Sequence, residues 1–330
     1  MGTIDIEGKQ YLSNKKIFAD AFNYLIYDGE PVIKPDELEE IDTTEFAVPY
    51  GDKNVKAPVQ KYRDILKVWN AMVDDTAMYV LLGVEIQDKV HYGMPIKSGL
   101  YDMLGYSKQI EELKRKNREL AKNKDSEGRS IDEGELVVEN GVMKIKLTSE
   151  EFLSGLCKGD KLKPIITAVI YLGEEAWDGP RSLFDMLDVR DDKIYDLISN
   201  YKLNLISPID MRDDDFEKFN TDFGLAMKIL KHHKTDAVEV IQNVGNGRFD
   251  RDTAEFVNKI TGLQLEFKAK GDEIDMFTSV IEHDKKMKVL GAITAFRSYG
   301  LSENEIITKI MECFDVTKEY VLELIEPEKA

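Results

Sequence analysis

Apolar residues recur at helical spacing over residues 15–27, KKIFADAFNYLIY, where Ile17, Phe18, Ala21, Phe22 and Leu25 share one face. This spacing predicts an amphipathic helix. Pro31, Pro35, Pro49 and Pro58 then interrupt the chain and disfavour a continuous helix. Next the pattern shortens. Residues 61–69, KYRDILKVW, and 77–87, AMYVLLGVEIQ, read as the arms of a long β-hairpin, with the polar Asp74-Asp75 of NAMVDDT at the turn. From about 95 to 122 the chain reads as a helix whose Ile96, Leu100, Met103 and Leu104 sit at core spacing. It ends in the charged run EELKRKNRELAKNKD, a solvated helix end.

Residues 123–150 read as an inserted excursion with a small hairpin about Asn140-Gly141. The β-branched run PIITAVIYL at 164–172 predicts a buried strand. Trp177-Asp178-Gly179-Pro180 reads as a turn over a packed aromatic. From about 213 the pattern is helical, with Phe216, Phe219, Phe223, Met227 and Leu230 forming one stripe. Ser302 and Glu305 form a capping box ahead of Ile306, Ile307, Ile310 and Met311. The expected organisation is therefore a mixed α/β part over 1–210, interrupted at about 123–150, and an α-helical part over 211–330.

Composition changes this picture little. Of 330 residues, 42% are hydrophobic and 33% charged, an ordinary core-forming balance. No apolar run approaches the roughly 18 residues a bilayer span requires, so no membrane association is expected. The first residues are too polar for a secretory signal, and the two cysteines, Cys157 and Cys313, are far apart and outside any CxxC. A cytoplasmic setting without disulfides or a thiolate zinc site is the expectation. The formal charge of −18 argues against a protein that coats DNA indiscriminately, but not against one that grips it through a local patch. The 45 Lys and Arg interspersed among the acids also disfavour a DNA mimic. No P-loop, Rossmann glycine pattern or Ser-His-Asp arrangement occurs, so no organic cofactor is expected.

The hairpin carries the sharpest chemical signal. A turn centred between Asp74 and Asp75 pairs residues whose numbers total about 149, which sets Asp64 opposite Glu85. Gln87, two residues on, projects from the same face unless a bulge intervenes. Two carboxylates and an amide suit a hard cation such as Mg²⁺ or Mn²⁺, which could acidify a bound water and meet charge on a phosphate. The competing reading places the same carboxylates at a solvated sheet edge. Lys97, Tyr101 and Lys108 lie on one stripe of the following helix and could serve a phosphate, or form an ordinary solvated face. His91 nearby could act as a base or phosphate contact, or simply shape its loop. The adjacent His232 and His233 diverge by about 100° on a helix and read as surface residues rather than a metal pair.

These residues sit within blocks that resemble the Rpn family of recombination-promoting nucleases and transposase-like proteins, in the PD-(D/E)XK superfamily. The blocks are NKKIFADAFNYLIYDGEPVIKPDELEEID, KYRDI, LLGVEIQDKVHYGMPIKSGLYDMLGYSKQ, EFLSGLCKGDKLKPIITAVIYLG, WDGPRSLFDML and the tail YGLSENEIITKIMECFDVTKEYV. The resemblance implies an α/β, restriction-endonuclease-like core with a mixed sheet flanked by helices. It implies a Mg²⁺- or Mn²⁺-dependent DNA endonuclease, with Asp64 and Glu85 as metal ligands and a homodimer as the working form. Gln87 stands where the family motif usually has lysine, and Lys97 where arginine is expected, so Lys97 or Lys89 is the substitute cation. Asp20 matches an accessory acid on the first helix; Tyr101, from the helix stripe above, is a further accessory candidate. The alternative is a nuclease fold with weakened catalysis, serving as a binding or regulatory module.

Overall fold

The computed structural model describes residues 3–41, 44–47, 59–62, 64–73, 76–121, 136–139, 142–145, 147–188, 191–234, 239–241, 248–262, 269–270 and 273–325. It divides into two compact units, Met1–Met211 and Arg212–Ala330.

The first unit opens with two helices, α1 (Thr3–Ser13) and α2 (Lys15–Tyr27). Asn14 caps α2 by accepting the Lys16 backbone N–H through its side chain. The amphipathic pattern gave α2 its bounds, whereas α1 carries a weaker apolar stripe and was missed. The proline-interrupted connector, in which a continuous helix is disfavoured, contains strand β1 (Leu38–Glu40) and half of a peripheral pair, β2 (Thr44–Ala47) with β3 (Val59–Tyr62).

The long hairpin follows as β4 (Ile65–Val73) and β5 (Thr76–Gln87). Ile65 faces Val84 and Val73 faces Thr76, the register expected from a turn at 74–75. That turn itself lies outside the described residues. Two boundaries differ. NAMV is strand rather than turn, and the arm expected over 61–69 is broken, because Asp64 sits in a bend between β3 and β4.

Helix α3 (Met94–Leu120) then crosses over to β8 (Ile165–Tyr171), after a peripheral hairpin, β6 (Leu136–Glu139) with β7 (Val142–Ile145), and a short capped helix, α4 (Ser149–Ser154). The one-turn helix α5 (Asp192–Tyr195) precedes β9 (Asn204–Ile206), and the main sheet runs β1-β4-β5-β8-β9. Its first three strands are antiparallel, whereas β5, β8 and β9 run parallel. This is a mixed five-stranded α/β sheet, consistent with a PD-(D/E)XK-like core.

Strand alternation sorts the two layers. Val84, Ile86, Ala168 and Ile170 face α1 and α2. A Cβ on Gly8 of α1 would lie 3.0 Å from Ile86, so the small residue lets α1 settle onto β5. The opposite face presents Glu85, Thr167, Val169 and Tyr171 to α3. Met94 at the start of α3 packs on Val169, Tyr171 and Trp177.

One expectation for α3 is corrected. Ile96, Leu100 and Met103 are exposed, and only Leu104 of that set is buried. The sheet-facing side is instead Met94, Ser98, Tyr101, Asp102 and Gly105. Polar residues hold it there, since Thr167 Oγ1 donates to Asp102 Oδ1 at 2.6 Å. A reading by apolar spacing selects the wrong stripe when the buried face is half polar.

The second unit is mainly helical, with the helices Asp222–His232, Arg251–Thr261, Met276–Ser298, Glu303–Phe314 and Lys318–Ile325. It also holds a small three-stranded sheet that the helical pattern did not predict. Phe216, Phe219, Phe223, Met227 and Leu230 are all buried. The Ser302–Glu305 capping box forms, with the Ser302 hydroxyl donating to Glu305 at 2.6 Å. His232 meets Asp213 at 3.1 Å, while His233 turns to the Leu230 carbonyl. Among the described residues, no helix is long and apolar enough to cross a membrane.

Candidate active site

Glu85 lies between the buried Val84 and Ile86 on the central strand β5, opposite the buried Val169 of β8. It is 1% exposed. A carboxylate so removed from water needs a compensating charge. Lys97, one turn into α3, supplies it, with Nζ 2.8 Å from Glu85 Oε2. The same ammonium stands 5.7 Å from the Tyr101 ring centroid, within cation–π range. Burial alone would lower the Lys97 pKa. The Glu85 carboxylate outweighs it, helped by Tyr101 and the charge of Asp64, and the group is held above the ordinary lysine value.

Asp64 reaches the site by another route. Standing in the bend before β4, it accepts the Ile86 backbone N–H at 2.8 Å through Oδ2. The carboxylate thus continues the hydrogen bonding of β5 where regular pairing with β4 has ended. Burial pushes its pKa above the usual aspartate range, and the Ile86 N–H and the positive charges of Lys97 and Lys9 offset this only in part. Asp5 of α1 adds to the rise. Asp64 therefore feels both layers, α1 through Asp5 and Lys9 and α3 through Lys97. Lys97 is the group common to both acids, by direct contact with Glu85 and by charge with Asp64.

Gln87 is half-buried and shares the Glu85 face, but its Nε2 donates to the Ile86 carbonyl at 2.7 Å. Lys89 and His91 lie in the loop between β5 and α3, and both are exposed. Tyr101 is buried against Lys97. Asp20 is buried on α2. Direct contacts thus join Glu85, Lys97 and Tyr101, while Asp64 is tied to the Ile86 N–H beside Glu85 and feels Lys97 only through its charge. Asp102 and Thr167, which fix α3 over β8, were not anticipated. A charged residue within the Ser98–Tyr101–Gly105 face of the helix was the available signal.

The ends of β5 and β8 form an acidic rim. The Tyr171 hydroxyl, on the residue paired with Gln87, has its pKa raised by burial first, then by Asp178, Glu175, Asp210 and Asp88.

Whether a divalent ion fits can be judged from the donors. Among the described residues, no group of three or more His, Cys, Asp or Glu gathers as a metal cluster. A magnesium-class ion, however, commonly keeps several waters and takes only one or two carboxylates from protein. Asp64 and Glu85 meet that requirement in kind, and burial makes the ionised form of Asp64 costly unless positive charge is near. The donor set fits, with Lys97 as competitor for Glu85.

Residues 146–256 match the model of a family described as "Putative transposase, YhgA-like". The resemblance seen in the sequence blocks is borne out over that stretch, which takes in β8 and β9 but not Asp64, Glu85 or Lys97. No curated protein and no solved structure matches the chain.

Proposed function

We infer that this relative of the YhgA-like transposase family is a divalent-metal-dependent DNA endonuclease, acting in the cytoplasm on phosphodiester bonds. The observation that supports the reading is a buried Glu85 carboxylate paired with the Lys97 ammonium, next to the Ile86 N–H that Asp64 accepts. The transposase family match supports the same class of chemistry, since DNA rearrangement requires strand scission.

Asp64 and Glu85 are the residues that would hold Mg²⁺ or Mn²⁺. The bound ion would supply Lewis-acid polarisation of a phosphoryl oxygen and a more acidic water. The chain's own groups do the rest. Lys97 is the cation positioned to meet phosphate charge, although as an ammonium it acts as a point charge rather than a bidentate clamp. Tyr101 confines it from one side. Gln87, with Nε2 on the backbone, contributes at most its amide oxygen to orienting water. The overall reaction is hydrolysis, in which water adds to phosphorus and the ester oxygen departs with a proton.

The Lys97–Glu85 ion pair also favours a second reading, a nuclease fold whose metal position is taken by its own lysine and which works as a binding module. Incubation of supercoiled plasmid with the full chain and Mn²⁺ or Mg²⁺ separates the two. Nicking that disappears in Asp64→Ala and Glu85→Ala supports the endonuclease. Intact plasmid across several DNA forms and both metals contradicts it.

A further inference from the structure

We propose that a basic groove along the second half of α3 holds the phosphate backbone of the nucleic acid; the identity of that ligand rests on the nuclease reading, whereas the binding does not require cleavage. The groove encloses about 460 Å³. Its lining carries Lys108, Arg115, Lys116, Lys161 and Lys163 against Glu112 and Glu119, an excess of three positive charges in a chain of formal charge −18. An unselective polyanion surface would be expected to follow the overall charge, and this one runs against it.

Its two sides are fixed to each other. The Lys163 backbone N–H donates to Gln109 Oε1 at 2.7 Å, and Gln109 Nε2 returns a bond to the Lys163 carbonyl at 3.1 Å. The Ile165 N–H donates to the Tyr106 hydroxyl at 3.1 Å. The segment leading into β8 is therefore clamped to α3, and the lysines it carries keep their spacing from those of the helix. Arg115 meets Glu119 only at 3.7 Å, and both are largely exposed, so a phosphate can replace that carboxylate at small cost.

The electrostatics select this approach over the alternative. At the opposite end of β8, beside Glu85, the charges of Asp178, Glu175, Asp210 and Asp88 add to the rise in the Tyr171 pKa, so that end offers phosphate no comparable excess of positive charge. Lys97 and Lys108 stand eleven residues apart, three helical turns, and so lie on one side of α3 about 16 Å apart along its axis. At roughly 3.4 Å of rise per nucleotide, a strand cut beside Lys97 would reach Lys108 about five nucleotides away.

The test is anisotropy titration of the full chain with a labelled 30-base-pair duplex in excess chelator, across a salt series. The variant Lys108→Glu/Lys116→Glu/Lys163→Glu should bind at least tenfold more weakly. It should also lower the slope of log affinity against log salt by roughly three, since each phosphate contact contributes about 0.9. Reversal of Lys285, Lys286 and Lys288 in the second unit should leave both unchanged, and circular dichroism should show each variant folded. Equal binding by the groove variant and wild type, or equal losses in the two triple variants, would overturn the proposal. Glu85→Gln keeps the two inferences apart. Groove-dependent binding without metal-dependent cutting by wild type would sink the endonuclease alone. Cutting that needs Glu85 but ignores the groove charges would sink the groove alone.

Discussion

Lys97 Nζ lies 2.8 Å from Glu85 Oε2, and the pair joins a helix-borne cation to a carboxylate that is nearly inaccessible to water. Removing one member takes away the opposite charge nearest the other. Lys97→Met should destabilise the protein by about 1–3 kcal/mol, less than a fully buried pair because Lys97 keeps a solvent-facing side. Glu85→Gln/Lys97→Met should recover much of that loss, because both charges are removed together. Urea denaturation of the two single variants and the double variant measures the coupling; purely additive losses would show that the pair is not what holds the helix here.

Asp64 should behave in the opposite sense. Its folded pKa is raised, so its contribution to stability is present below the unfolded pKa and is lost as pH rises through the folded value. Asp64→Asn removes the ionisation while an amide oxygen can still accept the Ile86 N–H. The variant should match wild type near pH 3 and exceed it at pH 7 by about 0.5–2 kcal/mol, as stabilising substitutions at functional sites commonly do. Thermal melts at both pH values read the difference, and a deficit at pH 7 would count against the buried-charge explanation.

The same shift sets an acid limit on activity. At sub-saturating Mn²⁺, where protons compete with the ion for Asp64, cleavage should decline on acidification at a pH above the ordinary aspartate range, because burial raises the metal-free group. A pH–rate profile flat down to the ordinary aspartate value would separate Asp64 from the chemistry.

Thr167 should matter without touching substrate. Its hydroxyl donates to Asp102 at 2.6 Å in the buried seam between β8 and α3. Thr167→Val should cost about 1–3 kcal/mol and, by loosening the helix that carries Lys97, lower the rate of cutting. A stability loss with unchanged rate would show that Lys97 is positioned independently of this seam.

Much of the site was legible because the hairpin register follows from its turn. Once Asp74-Asp75 is taken as the centre, the pairing of Ile65 with Val84 is determined, and Asp64 comes next to the end of β5. What strand arithmetic could not reveal is that Asp64 leaves the ladder and uses its side chain on the Ile86 N–H. A strand pattern assigns faces, not bends. The orientation of α3 departs from its apolar pattern for a related reason. Ile96, Leu100 and Met103 make an apolar stripe, but hydrogen bonding through Asp102 and burial of Tyr101 beside Lys97 turn the other side to the sheet. Charge pairing was partly readable, since Lys97 was expected as a substitute cation, yet its partner was fixed only by three-dimensional contact. The clamp of Gln109 on Lys163 joins residues 54 apart and left no local trace in the sequence.

On the endonuclease reading, Asp64 and Glu85 together bind one divalent cation in competition with Lys97. Calorimetric titration of the full chain with Mn²⁺ at neutral pH tests it most directly. A single saturable site is predicted, lost in Asp64→Asn and in Glu85→Gln and tightened in Lys97→Met. No saturable site, or one that persists unchanged in both carboxylate variants, would contradict the claim.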